Sequence, residues 1–167
     1  MRLAAGGSFG DARTELIGGD IIVMNPEYRP HSWVKDELHY RLRRALEELD
    51  SDISVSSGSI QLSDHDMPLP DIVLNRAPKG EGAIPLAAVV LVVEISSTTV
   101  SHDRNRKMRL YAEAGIPEYW LADLGRRVLH QLWAPVGDAF TERREIPFGE
   151  QIAAATINGL TVEAIGL

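Results

Sequence analysis

The chain has 167 residues, 44% of them hydrophobic, and a formal net charge of −7, enough for one domain with a sizeable core. It has no cysteine, which excludes disulfides and thiolate zinc sites and fits a reducing compartment. No apolar run reaches the length of a membrane span. The first fifteen residues lack a sustained signal-peptide core, so a soluble, cytoplasmic protein with no membrane association is expected. The acidic balance argues against tight, indiscriminate nucleic-acid binding, although an acidic protein can still carry a local basic groove.

Residues 1–13 hold Gly6-Gly7-Ser8 and no periodicity, and read as a flexible N-terminus. Residues 14–167 read as a single domain. Two short apolar runs, 14–17 and 20–24, flank Gly18-Gly19, which is a hairpin signal. Pro26 and Pro30 punctuate a loop over 25–30. A helix is predicted over 32–49, because Val34, Leu38, Leu42, Ala45, Leu46 and Leu49 recur at steps of three and four. Ser32 is its best cap.

A strand over 53–62 is broken by Gly58, a bulge candidate, and a polar loop over 63–70 leads to a short strand, 71–74. A Gly/Pro/charge connection over 76–85 precedes an apolar, β-branched run, 86–96, of the kind buried on both faces. Residues 98–101 offer caps for a helix running to about Ala114. Gly115 follows as its C′ residue and Pro117 bars continuation. Further strands are predicted over 118–122, 127–133 and 139–146, with a turn over 123–125 and small apolar pieces in the tail. The order implies an α/β fold (α+β mixed sheet), with helices flanking the sheet and one parallel βαβ crossover at its centre.

Glu94 interrupts the long apolar run. A buried, ionised carboxylate is costly unless a cation sits beside it. Its bland explanation is a structural ion pair with Lys107 or Arg104. Asp71, after Pro70, opens another strand and could be a turn residue bonding its own backbone. On the second helix Asp103, Lys107 and Tyr111 are four apart and share a face. Two carboxylates at strand ends plus one lysine are also a minimal kit for a divalent metal and an attacking water. The oxygen-rich pair suits Mg²⁺ or Mn²⁺. Asp103, Tyr111, Glu118 and Trp120 have mostly structural readings.

These residues resemble a known family. Glu15-Leu16-Ile17-Gly18-Gly19-Asp20, His31, Pro70-Asp71 and Val93-Glu94-Ile95-Ser96-Ser97 occur in the right order. Asp103, Lys107, Tyr111-Ala112 and Gly115-Ile116-Pro117-Glu118-Tyr119-Trp120-Leu121 follow. Together they resemble the Uma2 family (DUF820) over about residues 14–146. That resemblance implies the PD-(D/E)xK restriction-endonuclease-like fold and Mg²⁺-dependent (or Mn²⁺-dependent) endonucleolytic hydrolysis of DNA. It casts Asp71 and Glu94 as metal ligands. The usual motif lysine, two residues after the acid, is replaced here by Ser96, and Lys107 on the following helix takes its place.

Glu15 and His31 are second-rank catalytic candidates, an added acid and a proton-handling or phosphate-contacting imidazole. Their bland readings are an exposed strand residue and a helix-entry residue. Arg104, Arg106 and Arg109 could contact phosphates or form a solvated face, and Arg41, Arg43 and Arg44 make a second basic cluster. A homodimer is expected from the resemblance and from Leu129, Trp133 and Phe140. The competing functions are a non-catalytic nucleic-acid or protein binding module on the same fold, and a hydrolase acting on RNA or nucleotides.

Overall fold

A computed structural model describes residues 12–97, 101–164 and 166–167. The expected flexible stretch 1–13 and the caps expected over 98–101 lie largely outside the described residues. The chain opens with an antiparallel hairpin, β1 (Thr14–Ile17) and β2 (Asp20–Val23). Gly18 and Gly19 make its turn at φ +60° and +84°, a left-handed pair that side chains with a Cβ disfavour.

Helix α1 spans Arg29–Glu48 and buries Val34, Leu38, Leu42 and Leu46. It begins three residues earlier than its hydrophobic period suggested, with Tyr28 as N-cap and Pro30 inside the first turn. Proline is tolerated there because the first helical N–H groups have no intrahelical acceptor. Ser32 is therefore not the cap, and His31 belongs to the first turn of the helix.

The stretch expected as one strand, 53–62, is two. β3 (Ser54–Ser56) joins the main sheet, while β4 (Ile60–Gln61) pairs in parallel with β6 (Ile84–Pro85). Between them lies β5 (Ile72–Asn75), all four residues buried. The apolar run begins with a 3-10 turn, Leu86–Ala88, before β7 (Val89–Ser96). Helix α2 (Ser101–Glu113) then crosses to β8 (Glu118–Asp123), and Gly115 ends the crossover at φ +74°. β9 (Val128–Val136) and β10 (Ala139–Pro147) form a long hairpin, and β11 (Gln151–Ala153) with β12 (Thr161–Glu163) a short one.

Six strands form one mixed sheet in the order β10-β9-β8-β7-β5-β3, with β7 and β8 its parallel pair. This is the α+β sheet with a central βαβ crossover. Side chains alternate along the strands, so the sheet carries two cores. Ile72, Leu74, Leu91, Val93 and Ile95 pack with α1 and the C-terminal strands. Val73, Val92, Tyr119 and Leu121 pack with Tyr111 and Ile116. Each fully buried side chain of this size contributes about 1.5–3 kcal/mol. Glu94 shares the parity of Val92 and so faces α2. Leu129 is fully buried in the first core and Phe140 packs against the second. Trp133 lies beneath the Arg144 guanidinium. These three residues thus do not form the free apolar face expected of them.

Glu118 is fully buried. Its carboxylate accepts hydrogen bonds from Trp120 Nε1 (2.7 Å), Gln131 Nε2 (2.6 Å), the Ala155 N–H (3.0 Å), and both the N–H and Oγ1 of Thr156 (2.8 and 2.7 Å). One side chain on β8 thereby clasps β9 and the segment after β11.

Candidate active site

The register of the central strands places the two predicted acids side by side. Ile72 pairs with Val93, so Asp71 and Glu94 are neighbours one step further on. Asp71 Oδ2 accepts the Ile95 N–H at 2.8 Å. The acid thus continues the strand ladder through its side chain, which is more than a local turn contact.

Lys107 points inward from α2. Its Nζ lies 3.1 Å from Glu94 Oε1 and 2.9 Å from Glu15 Oε2. The Tyr111 hydroxyl, one turn along, donates to Glu94 Oε1 at 2.8 Å. The helical step of four explains why lysine and tyrosine reach the same carboxylate. The side chain of Asp103, the third member of that expected face, lies outside the described residues. Arg104 pairs with Asp123 at 3.2 Å, so the partner of Glu94 is Lys107.

Glu15 is 8% exposed, not the exposed strand residue it could have been. Leu16 and Met67 exchange backbone hydrogen bonds that dock the hairpin on the 63–70 loop, and the Leu69 N–H donates to Glu15 at 3.2 Å. His31 Nε2 lies 3.3 Å from Asp71 Oδ2, and its Nδ1 is 3.7 Å from Glu27 Oε2. All five predicted site residues, Asp71, Glu94, Lys107, Glu15 and His31, therefore line one cavity of about 390 Å³.

The cavity also contains groups that sequence reasoning missed. Glu27 accepts from Arg13 at 2.6 Å and from Lys35 at 2.8 Å. Burial pushes its carboxyl up, but the hydrogen bonds from Lys35 and Arg13 prevail and hold it at about 2. Glu27, His31 and Lys35 are spaced by four. Glu27 itself lies in the loop before α1, where the loop reading put it. Arg106 donates to the Ile17 carbonyl at 3.0 Å, and Arg109 is exposed. On α1, Arg41, Arg43 and Arg44 pair with Glu37, Glu47 and Glu48 at 3.0, 3.2 and 3.0 Å. That second basic cluster is thus locally neutralised.

Burial, aided by the negative charge of Asp71, raises Glu94 from 4.5 to about 7, against the pull of Lys107 and the Tyr111 hydroxyl. Burial also works against the Lys107 ammonium, but Glu94 and Glu15 outweigh it and hold that group above the ordinary lysine range. The ammonium stays charged, and Glu94 is the member of the pair that titrates near neutrality. The hydrogen bond to Asp71 raises His31 against the opposing effect of burial.

A pH dependence follows for the metal-free protein. The folded pKa of Glu94, about 7, lies above the unfolded value of 4.5. Between them the native state binds more protons than the unfolded state, so this group's contribution to stability falls as pH rises and levels off above about 7. Thermal melts in chelator across that window should show wild type losing ground to Glu94→Gln. Parallel profiles would contradict it.

The donor set fits a divalent cation. Two adjacent carboxylates, one raising the pKa of the other, form the kind of oxygen site that hard divalent cations relieve. Ligand atoms of Glu27, His31 and Asp71 also lie within 4.8 Å of one another. His31 Nδ1 is buried with no hydrogen-bond partner among the described residues.

Two adjacent carboxylates, Asp71 just before β5 and Glu94 inside β7 near its C-terminal end, with a lysine from the crossover helix beside them, define a nuclease-like α+β protein. The chain belongs to the Uma2 family, described as "Putative restriction endonuclease", whose model matches residues 3–164. Its fold is also that of a crystal structure from Anabaena variabilis described as "a putative nuclease belonging to DUF820". The two chains are 17% identical, with a TM-score of 0.63 over 84% of this chain and 80% of that one. No curated protein matches the sequence. Among the described residues no helix is long and apolar enough to cross a membrane.

Proposed function

We propose that this protein is an endonuclease that hydrolyses DNA phosphodiester bonds with Mg²⁺ or Mn²⁺. The observation that carries the reading is the Lys107 ammonium, held between Glu94 and Glu15 in the same cavity as Asp71. Asp71 and Glu94 are the residues that would hold the ion. Bound there, it would supply positive charge against the charge developing on a phosphoryl group and would make a water more acidic. Lys107 presents a permanent cation toward the phosphoryl oxygens. Glu15 fixes the position of that ammonium. His31, its proton favoured by Asp71, is placed to give a proton to a departing oxygen.

Incubation with supercoiled plasmid and with circular single-stranded DNA tests this. Cleavage is expected with Mg²⁺ or Mn²⁺, and its loss in chelator and in Asp71→Ala. Cleavage of neither substrate, or full activity in Asp71→Ala, would remove the assignment. The second reading, a non-catalytic binding module, draws on Ser96 standing where the motif lysine is usual and on an ammonium already engaged by two carboxylates. Mn²⁺ calorimetry separates them. Heat that disappears in Glu94→Ala supports the enzyme.

We further propose a cytoplasmic homodimer with one domain over residues 14–167. The absence of cysteine supports the compartment. Trp33 and Tyr40, exposed and two turns apart on α1, support a second copy. Light scattering at twice the chain mass is the expected result, and a monomer would end this part of the proposal.

A further inference from the structure

Tyr28 lines the cavity and is nevertheless 74% exposed. It caps α1 through its backbone, and its side chain makes no capping hydrogen bond. Val23, 54% exposed, and Met24 line the cavity beside it. None of these three side chains has a part in holding or moving a proton or a metal. The segment from β2 into α1 thus gives the cavity an exposed aromatic and apolar edge, distinct from the buried Ile17, Tyr119 and Leu121 that also line it. From α2 the same cavity is lined by Arg104 and Arg106.

Resting on the phosphodiesterase reading above, we infer that the wall formed by Tyr28, Val23 and Met24 stacks an unpaired base, so that the site takes single-stranded DNA in preference to duplex. The charge around the cavity supports this choice of ligand. Its permanent cations, Arg13, Arg104, Arg106 and Lys107, are matched in number by the carboxylates of Glu15, Glu27, Asp71 and Glu94, and a protonated His31 adds only one more. The whole chain is at −7. A duplex turns its phosphates outward and hides its base faces, so sequence-indifferent duplex binding needs a surplus of cations at the phosphates. A single strand offers base faces to exposed aromatics, and every base has one. The cavity volume of about 390 Å³ is in the range of a single small ligand, which suits one nucleotide. Phosphate and base then meet chemically distinct walls, with the acids and Lys107 at the bond between nucleotides.

Fluorescence anisotropy of a labelled oligonucleotide, its blunt duplex, and an abasic strand of equal length tests this, with Ca²⁺ in place of Mg²⁺. The strand is expected to bind more tightly than the duplex. Tyr28→Ala should weaken strand binding by at least about fivefold, the lower end for loss of one base–aromatic stack. Tyr28→Trp should retain it, and the abasic strand should not distinguish wild type from Tyr28→Ala. Because Tyr28 is a surface residue, unchanged melting of the variants is expected and shows that folding is not what changed. Equal weakening on the abasic strand, or duplex bound more tightly with no effect of Tyr28→Ala, overturns the inference and leaves the nuclease standing if plasmid is still cut. Conversion of a dimer to a monomer by Tyr28→Ala, with strand binding intact, assigns the wall to a second copy and also overturns it. Failure to bind any of the three DNAs, with no cleavage, overturns the nuclease reading and this inference together.

Discussion

Lys107→Ala is expected to lower DNA cleavage by about 10²-fold or more, the usual effect of removing a preorganised group that meets developing charge. The same change leaves Glu94 and Glu15 buried without their shared cation. Breaking a buried pair in this way costs about 3–5 kcal/mol. Activity must therefore be compared well below the melting transition of the variant, with circular dichroism confirming that it is folded. Lys107→Arg separates the two effects. It restores a cation, and with it part of the melting temperature. It does not restore cleavage, because a planar guanidinium does not reproduce a compact ammonium held at 2.9 and 3.1 Å from two oxygens. Folded Lys107→Ala that cuts DNA at the wild-type rate would take Lys107 out of the chemistry and leave it as an internal ion pair.

An effect on stability of similar size is expected outside that cavity, at Glu118. Glu118→Ala removes the acceptor for Trp120 Nε1, Gln131 Nε2 and two backbone N–H groups of the C-terminal segment. Each buried donor left unsatisfied costs about 1–3 kcal/mol. Partial relaxation and water entry would leave a net loss of about 3–5 kcal/mol, comparable with breaking a buried ion pair. For a chain of this size that lowers the melting temperature by roughly 6–20 °C. Glu118→Gln should lose less, since one oxygen still accepts. A melting curve for Glu118→Ala within a degree or two of wild type would show that the clasp contributes little. DNA cleavage per folded molecule should be unchanged, since Glu118 does not line the cavity that holds Lys107.

The two central strands were legible because apolar periodicity reports burial directly. Residues 71–74 and 86–96 read as strands, and the structure has strands there with their ends shifted by one residue at β5 and by a 3-10 turn before β7. The hairpin at Gly18-Gly19 and the helix end at Gly115 were legible for a different reason. Backbone with positive φ selects glycine, so the turn is written in the residue type. The start of α1 was misplaced because a proline reads as a breaker unless it is known to lie in a first turn. Glu27 lies in the loop just ahead of that start, as expected, and its approach to His31 and Lys35 is set by how the loop enters the helix. The split of 53–62 into two sheets was not legible either. Whether a chain bulges or departs at Gly58 depends on β6, which arrives more than twenty residues later.

The sequence by itself determined which stretches are apolar, where the backbone must turn, and that Glu94 stands at the end of a buried run in need of a positive neighbour. The tertiary structure decided which cation answers it. Arg104 and Lys107 lie three residues apart on the same helix, yet one turns to Asp123 and the other to Glu94 and Glu15. Helical phase, strand parity and the docking of a distant hairpin set that choice jointly. Each is a relation between segments far apart in the chain, and local residue preference carries no record of it.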